Sequence, residues 1–262
     1  MLQALYEANV VPDLLVATSA GGLNAAFIAS RPQTVATAHE LGSVWRRLRR
    51  DDIFPVNPWV LMGGLLGKRD HVVPAGGLRK LLGQHLQFDR LADAPIPLHL
   101  VAFDADEGAE ILLSEGPVID AVVGAAAIPG VFPPVRFGER RLIDGGVVNN
   151  TPISHAVELG AECIYVLPAQ DPSPPTRRPA RTALTAAIGG IGLLVGSRFE
   201  ADVERYASEA ELIVLPAPNP LEVQPTDFDH ADRLLHDGLV AARRRLAQPP
   251  PASLDDRRRA SA

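Results

Sequence analysis

Ser19 lies in Ala17-Thr18-Ser19-Ala20-Gly21-Gly22, between the apolar run Leu14-Leu15-Val16 and a helical pattern from Leu23 to Ser30. Strand, tight turn, helix is the setting of a nucleophile elbow, in which the serine is held in a strained conformation at the strand's end. Small neighbours are required, and Ala17, Ala20, Gly21 and Gly22 are all small. A helix starting there aims its first amides and its positive dipole end at the serine, which favours the negative charge of a tetrahedral intermediate. The usual pattern is Gly-x-Ser-x-Gly, and Ala17 replaces its first glycine. Taken alone, these six residues suit a plain tight connection as well as a nucleophile.

A second group is Ile143-Asp144-Gly145-Gly146-Val147. Asp-Gly is first of all a turn signal. Asp144, however, ends the apolar strand Arg141-Leu142-Ile143, at the edge of an α/β sheet where sites collect. Gly145 and Gly146 would let a second backbone or a substrate come close. A serine and an aspartate from two strand ends form a dyad without histidine. A free aspartate has a pKa of about 3.9 and is a weak base, so such a dyad needs strong stabilisation of the oxyanion.

The elements that must position the pair follow from periodicity and punctuation. A short helix with Leu2, Leu5 and Tyr6 on one face is closed by Asn9, ahead of the elbow strand. Val35 to Arg50 reads as a helix, and Phe54 to Gly77 is rich in Pro and Gly without clear periodicity. Leu98 to Phe103 and Glu110 to Leu113 read as a hairpin across the acidic turn Asp104 to Gly108, a turn rather than a calcium loop. Pro117 to Ala127 is helical, with Pro at a first turn. Helices over Pro152–Leu159, Arg198–Ala207 and Phe228–Leu246 and strands over Cys163–Leu167 and Leu212–Leu215 complete the pattern. Asp171 to Pro179 reads as a surface loop. The prediction is an α/β fold of three layers, a mainly parallel central sheet flanked by helices, over residues 1–247, with a disordered tail at 248–262.

Composition narrows the class. The 262 residues are 47% hydrophobic and 21% charged, with a net charge of −6, so no basic field points to nucleic acid. The single cysteine, Cys163, excludes an internal disulfide and reads as a buried, inert thiol. The N-terminal residues lack the features of a signal peptide, and Ala183 to Val195 is too short to span a bilayer. A cytoplasmic location follows as the expectation, leaving room for peripheral contact with a membrane.

The two motifs in this order resemble the patatin-like phospholipase family. Leu2 to Ala8 followed by Pro12-Asp13-Leu14 resembles the family's first helix leading into the elbow strand. Thr18-Ser19-Ala20-Gly21-Gly22-Leu23-Asn24-Ala25 is similar to the elbow, and Ala126-Ala127-Ile128-Pro129-Gly130-Val131-Phe132-Pro133-Pro134-Val135 to the segment before the aspartate. Asp144-Gly145-Gly146-Val147-Val148-Asn149-Asn150-Thr151-Pro152 matches the dyad motif and its following Asn-x-Pro. The likeness is strong to about residue 168 and looser to about 247. It implies a serine acyl hydrolase acting on lipid esters, with Ser19 as nucleophile and Asp144 as base. Ala20, Gly21, Gly22 and Gly145 would support the elbow and the oxyanion. Neither metal nor organic cofactor is implied.

Family members carry a Gly-rich oxyanion loop just before the first helix, and no matching loop follows Met1. The expectation is that such a loop lies upstream, with an impaired lipid-binding or regulatory protein as the alternative. An α/β-hydrolase triad is disfavoured, since that fold places several strands before its elbow. His39, His71, His85, His99, His155, His230 and His236 show no metal-ligand spacing and read as surface or core residues. Arg46-Arg47-x-Arg49-Arg50, near the apolar Trp59 to Leu66, reads first as a solvated helix end. Its functional reading is a basic patch beside a lid that meets anionic lipid.

Overall fold

The structure, a computed structural model, describes residues 1–55, 62, 70–169, 196–218 and 228–248. Helix α1 (Leu2–Glu7) ends where Asn9 takes a φ of 57°, a left-handed conformation that Asn tolerates. Strand β1 (Leu15–Thr18) runs into α2 (Ala20–Ala29), which starts at Ala20 rather than at Leu23 because the small residues of the turn are themselves helical. Helix α3 (Val35–Arg47) is capped by the Thr34 hydroxyl and stops short of Arg50. There the Arg49 amide donates to Asp52 Oδ2 at 2.8 Å and opens a separate turn, α4 (Arg50–Ile53).

Helix α5 (Gly76–His85) starts at the end of the Pro- and Gly-rich stretch and is an element the sequence reading did not assign; its Leu78 and Leu82 are buried. Strands β2 (Leu98–Asp104) and β3 (Ala109–Leu113) form the expected hairpin. Asp104 Oδ1 takes the amide of Asp106 at 3.0 Å, which makes this acidic group a turn. Helix α6 (Val118–Ala125) is followed by a second hairpin, β4 (Val135–Phe137) and β5 (Arg140–Asp144), folded back at Gly138 with φ 62°. Next come α7 (Ile153–Glu158), β6 (Cys163–Val166), α8 (196–206), β7 (Glu211–Val214) and α9 (Ala231–Leu246). The Asp171–Pro179 loop, the Ala183–Val195 stretch and the tail from 249 lie outside the described residues, as does most of the Trp59–Leu66 segment.

The architecture is α/β, a central sheet flanked by helices. Its strand directions correct the expectation of a mainly parallel sheet. Among the described residues β1–β2 and β6–β7 are parallel, while β2–β3, β2–β5 and β4–β5 are antiparallel. The two hairpins impose the β2–β3 and β4–β5 pairings, since a short turn can only reverse the chain, while β2–β5 is a long-range pairing. Cys163 is also corrected: it is exposed at the start of β6. Partial desolvation and the Glu211 carboxylate nevertheless push its thiol up, which disfavours the reactive thiolate.

The register of β2 explains the site. Strand β3 pairs with Leu100–Asp104 along one edge of β2. On the opposite edge β1 pairs in parallel with Leu98–Val101, and β5 pairs antiparallel with Ala102–Asp104. A strand has only two edges, so β1 and β5 lie end to end and point at each other. Thr18 stands opposite Val101 and Asp144 opposite Ala102. Leu98, Leu100 and Val101 of β2, Leu142 of β5 and Val122 and Val123 of α6 are all buried at this junction.

Gly145 completes the fit. A Cβ there would overlap the Val101 carbonyl group, whose carbon would be 2.6 Å away. Gly145→Ala is therefore expected to lower stability by about 1–3 kcal/mol, roughly 3–10 °C in melting temperature. An unchanged melting curve would show that the two backbones are not packed this closely.

Candidate active site

Ser19 leaves β1 with φ 52° and ψ −130°, and apart from Asn9 it is the only described non-glycine residue with positive φ. Strain of this kind persists only where surrounding bonds over-determine it. Its amide donates to the Ala125 carbonyl at 3.2 Å, and its carbonyl accepts from Gly22 N at 2.8 Å, which starts α2. Asp144 is buried at the end of β5, and its amide donates to the Ala127 carbonyl at 2.9 Å. The C-terminal turn after α6 thus grips both backbones.

Ser19 Oγ donates to Asp144 Oδ2 at 2.6 Å. The other carboxylate oxygen, Oδ1, accepts from the amide of Gly146 at 2.8 Å, which fixes the plane of the group. Burial pushes the Asp144 pKa above the ordinary carboxylate value, against the Ser19 and Gly146 hydrogen bonds that pull it down. Desolvation makes this carboxylate a stronger base than a free aspartate.

The supporting residues divide. Ala20 and Gly21 are exposed at the first turn of α2, which has no side-chain cap. Gly22 is buried and its amide is already engaged with Ser19; a Cβ on it would sit 3.1 Å from Leu100 Cδ2. Gly22 and Gly145 are therefore held by packing, whereas Ala20 and Gly21 are not. The nearest atom to a Cβ on Gly21 would be Ala17 Cβ at 3.7 Å, so packing does not demand glycine there.

Three of the seven histidines have polar partners away from the dyad. His155 bonds Glu110 at 2.8 Å and Glu158 at 3.1 Å, His99 bonds Ser114 at 2.6 Å, and His71 bonds Asp70 at 2.7 Å. Among the described residues no cluster of His, Cys, Asp or Glu has the geometry to hold a metal ion. Two of the four arginines in the basic cluster meet acids, Arg46 with Asp232 at 2.5 Å and Arg50 with Asp51 at 3.7 Å.

The comparisons with known proteins agree with this geometry. The family model for patatin-like phospholipase matches residues 1–157, a span that contains the elbow, the aspartate and every strand of the central sheet. This chain belongs to the patatin-like phospholipase family. It is also 29% identical over 276 aligned positions to uncharacterized NTE family proteins of Mycobacterium bovis and Mycobacterium tuberculosis, covering 95% of this chain. A second uncharacterized NTE family protein of Mycobacterium tuberculosis is 31% identical over 88 positions, 30% of this chain and 24% of its own length. The chain spans 44% of the length of the longer-matching relatives. No helix among the described residues is long and apolar enough to cross a membrane.

Sequence reasoning missed Thr18, Asn149 and the carbonyls of Ala125 and Ala127. Thr18 Oγ1 donates to the Asn149 carbonyl at 2.8 Å, and both residues are buried. Asn149 was legible only as part of the matched motif, because its partners lie far away in the chain.

The raised pKa has a thermodynamic sign. A carboxyl whose folded pKa exceeds its unfolded one stabilises the fold while neutral, below the unfolded value, and that contribution is lost as pH rises through the folded pKa. Asp144→Asn keeps the shape and removes the buried charge. Its melting temperature is expected to exceed the wild type's at neutral pH, the gap closing as pH falls to the unperturbed carboxylate range. A variant less stable than wild type at neutral pH would mean that the ionised carboxylate is net stabilising there.

Proposed function

We propose that this chain is a serine acyl hydrolase of the lipase or phospholipase A type, working through a Ser19–Asp144 dyad. The 2.6 Å Oγ–Oδ2 hydrogen bond carries the reading. Asp144 Oδ2 takes the proton of Ser19 as Oγ forms its bond to the ester carbonyl carbon. The carbonyl oxygen becomes an oxyanion facing the first amides of α2, where the helix dipole favours negative charge. Collapse of this intermediate breaks the ester C–O bond. The leaving alcohol takes the proton from Asp144, and Ser19 is left acylated. Water, deprotonated by the same carboxylate, then adds to the acyl carbon; the bond from that carbon to Oγ breaks, Asp144 returns the proton to Ser19, and the fatty acid leaves.

Several surroundings support a lipid ester as substrate. Ile128 and Val147 are 40% and 37% exposed and flank Asp144, one just after its backbone partner Ala127, the other in the turn of Gly145–Val147. These exposed apolar side chains beside the carboxylate would favour an acyl chain over a polar one. Exposed Met62, in the segment read as a lid, adds to the apolar surface and supports peripheral contact with a membrane.

A fluorophosphonate probe tests the reading directly. The folded wild-type chain should be labelled, Ser19→Ala should not, and Asp144→Asn should react about 10²–10⁴-fold more slowly. Hydrolysis of long-chain lipid esters should show the same order. Labelling that survives in Ser19→Ala, or wild-type labelling that is absent from folded protein, would sink the hydrolase assignment.

A further inference from the structure

Strands β1 and β5 do not pair with each other, so no ladder hydrogen bond sets the gap across which Ser19 meets Asp144. Besides the bond of the dyad itself, a side-chain bond spans it from Thr18 Oγ1 to the main-chain carbonyl of Asn149 at 2.8 Å. The Asn149 amide is tied to the Gly145 carbonyl at 2.8 Å, which makes the loop after Asp144 a closed unit. Asn149 Nδ2 donates to Glu110 Oε1 at 2.6 Å and to Ser154 Oγ at 3.2 Å. Glu110 stands on β3 and meets His155 of α7 at 2.8 Å and Arg198 of α8 at 3.5 Å.

A carboxylate can only accept, so Glu110 obliges Asn149 to turn its NH₂ inward and leave its oxygen on the other side. That oxygen, Oδ1, is buried and has no hydrogen-bond partner among the described residues. An orphaned buried acceptor opposes stability, and an apolar side chain would fill the place at less cost. Asn149 is therefore not explained by packing alone. What it does is hold a carbonyl where the Thr18 hydroxyl reaches it.

We propose that Thr18 and Asn149 are positioning residues for the dyad, and that Glu110 fixes Asn149 in the orientation this requires. The chain Glu110–Asn149–Thr18 sets the Ser19–Asp144 separation from outside the reacting atoms. Neither Thr18 nor Glu110 touches the substrate. This inference rests on the hydrolase reading for its kinetic consequence, and on geometry alone for its structural one.

Thr18→Val removes the hydroxyl at nearly constant shape, and Thr18→Ser restores it. With a soluble ester, Thr18→Val is expected to lower kcat roughly 10–100-fold while KM stays within about threefold, the mark of a misplaced reacting group in a formed site. Thr18→Ser should recover most of the lost kcat. Crystal structures of wild type and Thr18→Val provide the second arm, where Ser19 Oγ should move beyond hydrogen-bond distance of Asp144 Oδ2 in the variant. An unchanged kcat in Thr18→Val, or a loss that follows the folded fraction and is not recovered by Ser, overturns the proposal. So does an unchanged dyad distance. If the wild type has no turnover but the dyad still opens in the variant's crystal structure, the hydrolase reading fails while the positioning role stands.

Discussion

Strands β1 and β5 share one edge of β2, run in opposite directions and end facing each other at the Val101–Ala102 peptide. Two chains converging on one point of a hydrogen-bonding edge must both turn away, and each does so with its functional residue. Ser19 turns through a positive φ into α2, and Asp144 turns through the glycines into a 3₁₀ turn. The dyad is thus a consequence of strand register. A slip of β5 by one residue along β2 would send the carboxylate to the other face of the sheet. The mixed direction of the sheet is part of this arrangement, since two parallel strands could not meet end to end in this way.

Burial of the aspartate links structure to chemistry. Asp144 Oδ1 is satisfied by one amide and Oδ2 by the serine itself, so the ionised group is poorly solvated. The same desolvation that strengthens the base opposes folding of the ionised protein. Much of the surrounding framework resists that strain. Leu100, Val101, Ala102 and Leu142 are fully enclosed, and α6 lies across β2, β4 and β5 with Gly124 close enough that a Cβ would stand 3.0 Å from Leu142.

The local signals in the chain were readable and the non-local ones were not. Ser19 between an apolar run and a helical pattern, and Asp144 before two glycines, each carry a recognisable turn chemistry within a few residues. The hairpin over Asp104–Gly108 and the stop of α1 at Asn9 are of the same local kind. Helix α5 was not assigned at all, although Leu78 and Leu82 stand at helical spacing, and β4 escaped because it follows a proline-rich stretch and its pairing with β5 is decided by Gly138. The direction of the central sheet depended on β5 returning antiparallel to β2, a contact between residues about forty positions apart that no periodicity encodes. Cys163 followed a different error: an apolar strand was taken as buried throughout, yet its first residue stands at an exposed end. Glu110 and Asn149 look like an ordinary strand residue and an ordinary turn residue until the fold brings them together.

The grip of the α6 C-terminus on both backbones has a consequence for motion. Ser19 N and Asp144 N are bonded to carbonyls two residues apart, those of Ala125 and Ala127. Displacement of this helix end relative to the sheet is a common-mode movement, carrying both amides in the same sense and cancelling in their separation. The polar network behind β3 and α7 also reaches both sides, through Asn149, which accepts from Thr18 and donates to Gly145. Ser19 and Asp144 are thus hung from shared supports, and a shift of either support moves them as a pair.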